Sequence, residues 1–249
     1  MSRRFDRRTT EFSPEGRIHQ LENAMEAISK GGAGVAILTK DGVVFAAERR
    51  ITSKLIDFKT ESEKMYRLDK HITCLVAGLQ ADANTLIDFA RRASQNYRYT
   101  YQDDTPVEHL VKRVCDLKHS YTQFGGYRPF GASFLVGGYD QQHGFQLYET
   151  DPSGNYAGWK AVAIGSNSAA ATGVLKKHFN AEFSLEKAKE LALRALCRAL
   201  DVTETPLDKV EIGQICKNAE NDVKWTVLGP DEVRNLALRA EKSYDFGEE

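Results

Sequence analysis

The sequence predicts an α+β fold in four layers, α/β/β/α, built by one domain over residues 1–249. Three observations carry this. Strand signals come in blocks instead of alternating singly with helices, helical periodicities come in pairs, and several strand candidates are apolar at successive residues, as in sheets covered on both faces. At 249 residues the chain is long enough to bury such a core.

Taken in order, Ser13-Pro14-Glu15-Gly16 has the chemistry of a type I turn, with Ser first, Pro second and Gly fourth. Ile18, Leu21, Met25 and Ile28 then recur at helical spacing while Gln20, Glu22, Asn23 and Glu26 take other faces. This predicts a short helix over 17–28, stopped by Gly31-Gly32. Two apolar runs over 34–48, joined around Asp41-Gly42, read as a β-hairpin. A further strand is expected over 72–78. Ala83, Leu86, Ile87, Ala90, Ala93 and Tyr97 mark one helix, and Val107, Leu110, Val111, Val114, Leu117 and Tyr121 a second beside it.

Strand signals resume at 132–136, 145–148 and 159–164, separated by turn chemistry at Gly137-Gly138 and Asp151-Pro152-Ser153-Gly154. Helices follow over 167–178 and 185–200. Strands over 210–216 and 223–228 come next, and then a closing helix over 230–240 with Pro230 at its start. Both outer helix pairs lie after the first hairpin, so the helix over 17–28 is an extra element in a strand-rich first half.

Composition narrows function. Lys plus Arg number 34 against 35 for Asp plus Glu, a net charge of -1, so no global attraction to nucleic acid or a membrane surface is expected. Arg3, Arg4, Arg7 and Arg8 are followed by no apolar segment, which argues against a secretory signal, and no apolar run is long enough to span a bilayer. Cys74, Cys115, Cys197 and Cys216 are scattered without a Cys-x-x-Cys pair, pointing away from a zinc site or disulfide framework and toward a reducing compartment, cytoplasm or nucleus.

The histidines at 19, 71, 109, 119, 143 and 178 show no metal-ligand spacing, and no cofactor or metal is expected. Gly31-Gly32-Ala33-Gly34 precedes a strand, whereas a phosphate cradle precedes a helix, so it reads as a helix stop. Trp159, Trp225, Tyr97, Tyr99 and Tyr101 accompany no basic stripe and fit packing or subunit contact better than base stacking. Arg91-Arg92 and Lys176-Lys177-His178 read as solvated helix faces.

Several stretches resemble proteasome α subunits: Phe5-Asp6, the block Phe12-Ser-Pro-Glu-Gly-Arg17 with the helix after it, Asp41-Gly-Val-Val44, Ala46-Ala-Glu-Arg-Arg50 and Ser62-Glu-Lys-Met-Tyr66. The likeness continues through Ala77-Gly-Leu79, Ala81-Asp-Ala83, Tyr121-Thr-Gln-Phe-Gly-Gly126 and Arg128-Pro-Phe-Gly131, so it covers nearly the whole chain. Met1-Ser-Arg-Arg4, Asp151-Pro-Ser-Gly-Asn-Tyr156 and Gly158-Trp-Lys160 are most similar to the α type-4 branch, although the end at 243–249 lacks that branch's longer charged tail.

The resemblance implies the N-terminal-nucleophile sandwich fold, in agreement with the layers inferred from pattern. It divides the chain into a gating tail (1–12), a turn and helix lying over the sandwich (13–30), and the sandwich with its C-terminal helix (33–249). It also gives the early helix a purpose, closing the cleft that catalytic β subunits leave open. Such hydrolases need Thr, Ser or Cys as the new first residue, since the freed amine is the base for its own side chain. On the β-subunit pattern Gly32 stands at the nucleophile's place, with Glu48 and Lys64 at those of the supporting acid and lysine, so no catalytic residue is expected.

The resemblance further implies a non-catalytic gating subunit of the 20S core particle, in a seven-membered α ring stacked on β subunits. That ring admits unfolded polypeptides and docks regulatory particles in ubiquitin-dependent and ubiquitin-independent degradation. Lys64 matches the lysine that receives an activator's C-terminal carboxylate, a charge-assisted contact, with Glu22, Gly78 and Leu79 at the pocket rim. Phe5, Asp6, Arg7 and Pro14 match the gate and its turn. Tyrosine is usual in the family at positions 5 and 23, where this chain has Phe5 and Asn23, and the two lost hydroxyls imply weaker support for an open gate. Two alternatives stand beside this: an active N-terminal-nucleophile amidohydrolase exposing Thr39 or another residue, and a stand-alone interaction protein reusing the fold.

Overall fold

The computed structural model describes residues 10–49, 64–202, 209–218 and 222–242. Helix α1 (His19–Ser29) precedes a hairpin of β1 (Gly34–Leu38) and β2 (Gly42–Glu48), then β3 (Met65–Asp69) and β4 (Ile72–Gly78). The helix pair α2 (Gln80–Tyr101) and α3 (Val107–Gln123) follows, then β5 (Ala132–Asp140), β6 (Gly144–Thr150), β7 (Tyr156–Gly158) and β8 (Ala161–Ile164). A second helix pair, α4 (Ser168–His178) and α5 (Leu185–Leu200), leads to β9 (Val210–Lys217), β10 (Val223–Val227) and α6 (Pro230–Lys242). The strands form two antiparallel sheets, β10-β9-β2-β1-β8 and β3-β4-β5-β6-β7.

Three apolar clusters give the layers their order, and the pleat of each strand divides its side chains between two of them. Val35 and Ile37 of β1, with Val44 and Ala46 of β2, face α4, α5 and α6, while Ala36, Val43, Phe45 and Ala47 face the other sheet. Leu75 and Ala77 of β4 and Leu135 of β5 complete the space between the sheets. Cys74, Val76, Phe134 and Val136 turn outward to meet Leu86 and Ile87 of α2 and Leu110, Val111 and Val114 of α3. The α/β/β/α order expected from the sequence is the observed one.

The structure corrects several local expectations. Gly137-Gly138 is no turn but the middle of β5, pairing with Leu147 and Gln146 of β6. A Cβ on Gly137 would stand 2.6 Å from Phe45 Cζ across the core, so glycine is required there by the opposing sheet. The turn actually lies between Asp140 and Gly144, where Asp140 Oδ1 accepts the backbone N–H groups of Gln142 (3.1 Å) and His143 (2.7 Å). The Gly31–Gly34 run does more than stop a helix: α1 ends at Ser29 with Lys30 as its cap, and the glycines permit close approach of β4 and its neighbours. α1 begins at His19, two residues after the expected start, because residues 13–17 are held in the preceding turn. Trp159 and Lys160 precede β8 instead of opening it. Two strands, β3 and β7, carry no recognisable strand signal in the sequence.

Lys118 is a buried cation that the sequence reading does not single out. It is fully buried on α3, where Nζ donates to Ala132 O (2.9 Å) and Thr150 Oγ1 (2.8 Å) and lies over the Phe134 ring. Burial pulls its pKa down to about 8.

Candidate functional site at the closed end of the sandwich

The turn ahead of α1 is fixed by short-range bonds. Gly16 N donates to Ser13 O (2.8 Å) and Arg17 N to Ser13 Oγ (3.2 Å), with Pro14 at the second turn position. Arg17 pairs with the Glu22 carboxylate in the first turn of α1, where negative charge also suits the helix dipole. At the far end of α1, Ile28 is buried within the core between the sheets. The helix thus drives an apolar residue into one end of the sandwich and closes it.

Gly78 at the end of β4 makes this closure possible. Its φ of +116° disfavours any side chain, and a Cβ there would lie 2.1 Å from Gly131 O and 3.0 Å from Ile28 Cγ1. A Cβ on Gly31 would similarly meet Gly78 N at 2.8 Å. Leu79, which caps α2, is about half exposed beside this junction, its backbone N–H bonded to Gly131 O at 2.8 Å. Lys64 O accepts from Val76 N at 2.9 Å, placing Lys64 beside β4 at the same end. Glu22, Gly78, Leu79 and Lys64 therefore share one end of the molecule.

Beneath α1, the Lys64 ammonium occupies the space a side chain at position 32 would need. A Cβ on Gly32 would fall 1.9 Å from Lys64 Nζ and 2.9 Å from Glu48 Oε2. Glu48 Oε2 accepts from the Ala33 backbone N–H at 2.9 Å, and Lys64 Nζ is shut off from solvent. The site holds an acid and a base around a residue with no side chain, so it can position charge but supplies no nucleophile at position 32. Thr39 lies at the other end of β1, is buried, and already donates its hydroxyl to Gly42 O at 2.9 Å. Phe5, Asp6 and Arg7 lie outside the described residues, as do Ser62 and Glu63.

A contact with no sequence signature of its own braces this end. Asp82 Oδ2 accepts from Arg128 Nη1 (2.6 Å) and Gly131 N (2.9 Å), and Asp82 Oδ1 from Arg128 Nη2 (2.8 Å). Two motifs, Ala81-Asp-Ala83 and Arg128-Pro-Phe-Gly131, are thereby tied together next to Gly78. The hydrogen bonds from Arg128 hold the Asp82 carboxyl below its ordinary 3.8. A depressed carboxylate contributes stability that is present above that value and lost as pH falls through the folded one. Asp82→Asn is expected to cost about 1–2 kcal/mol at neutral pH and to make the loss of stability below pH 3.8 shallower. Unfolding followed by fluorescence between pH 6 and 2 checks both.

Known proteins share this arrangement's sequence. A family profile described as "Proteasome subunit" matches residues 28–215, and a second, for the N-terminal signature of A-type proteasome subunits, matches residues 5–27. The chain is 49% identical over 239 residues to the alpha type-4-A proteasome subunit of Arabidopsis thaliana, covering 96% of each. It is 50% identical over 236 residues to the alpha type-4 proteasome subunit of Spinacia oleracea, covering 95% of this chain and 94% of that one. The alpha type-4 proteasome subunit of Petunia hybrida is 46% identical over 249 residues, with 100% of both chains covered.

Proposed function

The chain belongs to the proteasome subunit family, and from that membership we propose that it is a non-catalytic wall and gate subunit in the α ring of the 20S core particle. The observation that carries this is the Gly32 site, where an ammonium fills the place of a side chain beneath a helix that closes the cleft. Gly32 stands for the nucleophile that a catalytic subunit would have, and Glu48 and Lys64 keep no part in catalysis. Six other α subunits complete the ring, which stacks on a β ring in cytoplasm and nucleus. Ring contacts of this kind are heterologous, so the chain uses two different lateral faces. Native mass spectrometry of particles carrying a tagged chain tests this: the reading predicts a multi-subunit barrel, and recovery only as a free chain would sink it.

At the α1 end, Lys64, Glu22, Gly78 and Leu79 form this subunit's share of a pocket for activator C-termini. The incoming carboxylate draws the Lys64 ammonium away from Gly32 toward solvent through a charge-assisted contact. Lys64→Met is expected to abolish opening by an activator's C-terminal peptide at this pocket while leaving the barrel assembled. Peptide hydrolysis with and without the activator peptide reads this, and unchanged stimulation would remove Lys64 from the pocket. The tail over 1–12, with Phe5, Asp6 and Arg7 and the Pro14 turn behind it, forms part of the gate that admits unfolded polypeptides. Restoring both phenols with Phe5→Tyr/Asn23→Tyr is expected to favour the open gate, read as faster basal peptide hydrolysis; equal rates would refute this role.

A further inference from the structure

Gly78 and Leu79, the two rim residues at the end of β4, rest on one residue of the facing segment, Gly131. The Gly131 carbonyl oxygen accepts the Leu79 N–H at 2.8 Å and lies 2.1 Å from where a Cβ on Gly78 would stand. Its Cα faces the Leu79 side chain so closely that a Cβ there would meet Leu79 Cδ1 at 2.9 Å and Cγ at 3.3 Å. A shift of Gly131 therefore shifts the backbone of Gly78 and both the amide and the side chain of Leu79.

Two sets of contacts hold this segment. From the core side, Ala132 pairs with Gly78 in the β4–β5 register, and its carbonyl accepts from the buried Lys118 Nζ at 2.9 Å. From the solvent side, Asp82 Oδ2 accepts the Gly131 N–H at 2.9 Å, and both Nη atoms of Arg128 grip the same carboxylate, at 2.6 and 2.8 Å. Arg128 Nη1 also donates to Pro129 O at 3.0 Å. The Arg128 side chain is 63% exposed and ends a run, residues 123–128, that is exposed throughout. An ion pair in such a place contributes modestly to stability, but a two-pronged guanidinium fixes direction as well as distance. Asp82 lies in the first turn of α2, the helix that Leu79 caps, so the brace ties together the two segments that meet at the rim.

We propose that Asp82 and Arg128 are positioning residues of the activator pocket, holding Gly131 so that Gly78 and Leu79 present a preformed rim to the peptide whose terminal carboxylate meets Lys64. This deepens the pocket reading above and rests on it. Neither residue touches the incoming chain. Acting through Gly131, they raise the fraction of time in which the rim has its binding shape, and apparent affinity scales with that fraction. Lys64 supplies attraction, and the brace supplies shape.

The test uses particles assembled with the full chain and a peptide copied from an activator's C-terminus, with a free carboxylate and a benzophenone side chain. Irradiation labels the subunits that the peptide touches, and intact mass gives the labelled fraction of this chain alone. Arg128→Gln changes an exposed side chain and leaves Ala132 held by Lys118 and the sheet, so the chain still folds and enters particles. Its expected effect is a half-saturating peptide concentration raised about five-fold, with the same labelling at saturation. Asp82→Asn weakens the brace from its other partner and is expected to shift the value in the same direction. A brace that served stability alone would lower the melting temperature without moving half-saturation, so an unchanged half-saturating concentration in either variant would overturn the proposal. Lys64→Met separates this proposal from the reading beneath it. Labelling that persists in Lys64→Met removes the pocket and the positioning role with it, whereas labelling lost in Lys64→Met but unshifted in Arg128→Gln overturns the positioning role alone.

Discussion

Gly78→Ala is expected to destabilise the chain by about 2–5 kcal/mol and to loosen α1 from the end of the sandwich. Two costs combine: the φ of +116° is strained for any residue with a Cβ, and that Cβ would stand 2.1 Å from the Gly131 carbonyl oxygen, a backbone atom that cannot swing aside. Relief requires β4 to part from the β5 entrance or Ile28 to withdraw, since the same Cβ lies 3.0 Å from Ile28 Cγ1. Either movement opens the core that α1 covers. Limited proteolysis of assembled particles should then cut within residues 19–29 faster than in wild type, and fewer tagged chains should enter particles. Equal cleavage and equal incorporation would show that α1 does not depend on this junction.

Phe45→Ala should cost about 3–5 kcal/mol. The ring is fully buried between the sheets, meets Trp225 edge-on at 5.8 Å between centroids, and closes over the bare backbone of Gly137. Removing it leaves a cavity in a region where both walls are pinned by sheet hydrogen bonds, so collapse is limited. The pairing with Gly137 supplies a sharper test. Gly137→Ala alone inserts a Cβ 2.6 Å from Phe45 Cζ and should be destabilising, whereas on the Phe45→Ala background the contact with Val43 Cγ1 at 3.0 Å remains but the ring is gone, and the same change should cost less. Denaturant midpoints of the four proteins give the coupling, and additive effects would mean that the two sheets do not constrain each other here.

The layers were legible because the strands of the hairpin and β4 are apolar on both faces, which is itself the mark of a sheet sandwiched between other layers. β3 leaves little trace because Met65–Asp69 is an edge strand with exposed Arg67 and half-buried Tyr66, giving too little apolar alternation. β7 has three residues, too few for any period. Gly137-Gly138 misleads because two glycines signal a turn locally, while their cause is a phenylalanine on the opposite sheet. Lys118 does leave a trace: Val111, Val114, Cys115, Lys118 and Thr122 follow one helical face, and that face is buried throughout.

At the site, position 32 became meaningful through the family resemblance alone. Nothing local to Gly31-Gly32 reveals that Lys64 and Glu48 converge on it; folding the hairpin against β3 does that. The Asp82–Arg128 pair, 46 residues apart, was likewise present in sequence as two motifs whose contact only the fold supplies.

The most direct measurement of the central claim is intact-mass analysis of this chain from purified particles after treatment with a threonine-directed covalent inhibitor. A non-catalytic chain retains the residues ahead of Gly32 and carries no adduct, while inhibitor-modified subunits are found in the same particle. A chain cleaved before a nucleophile and itself bearing the inhibitor would contradict it.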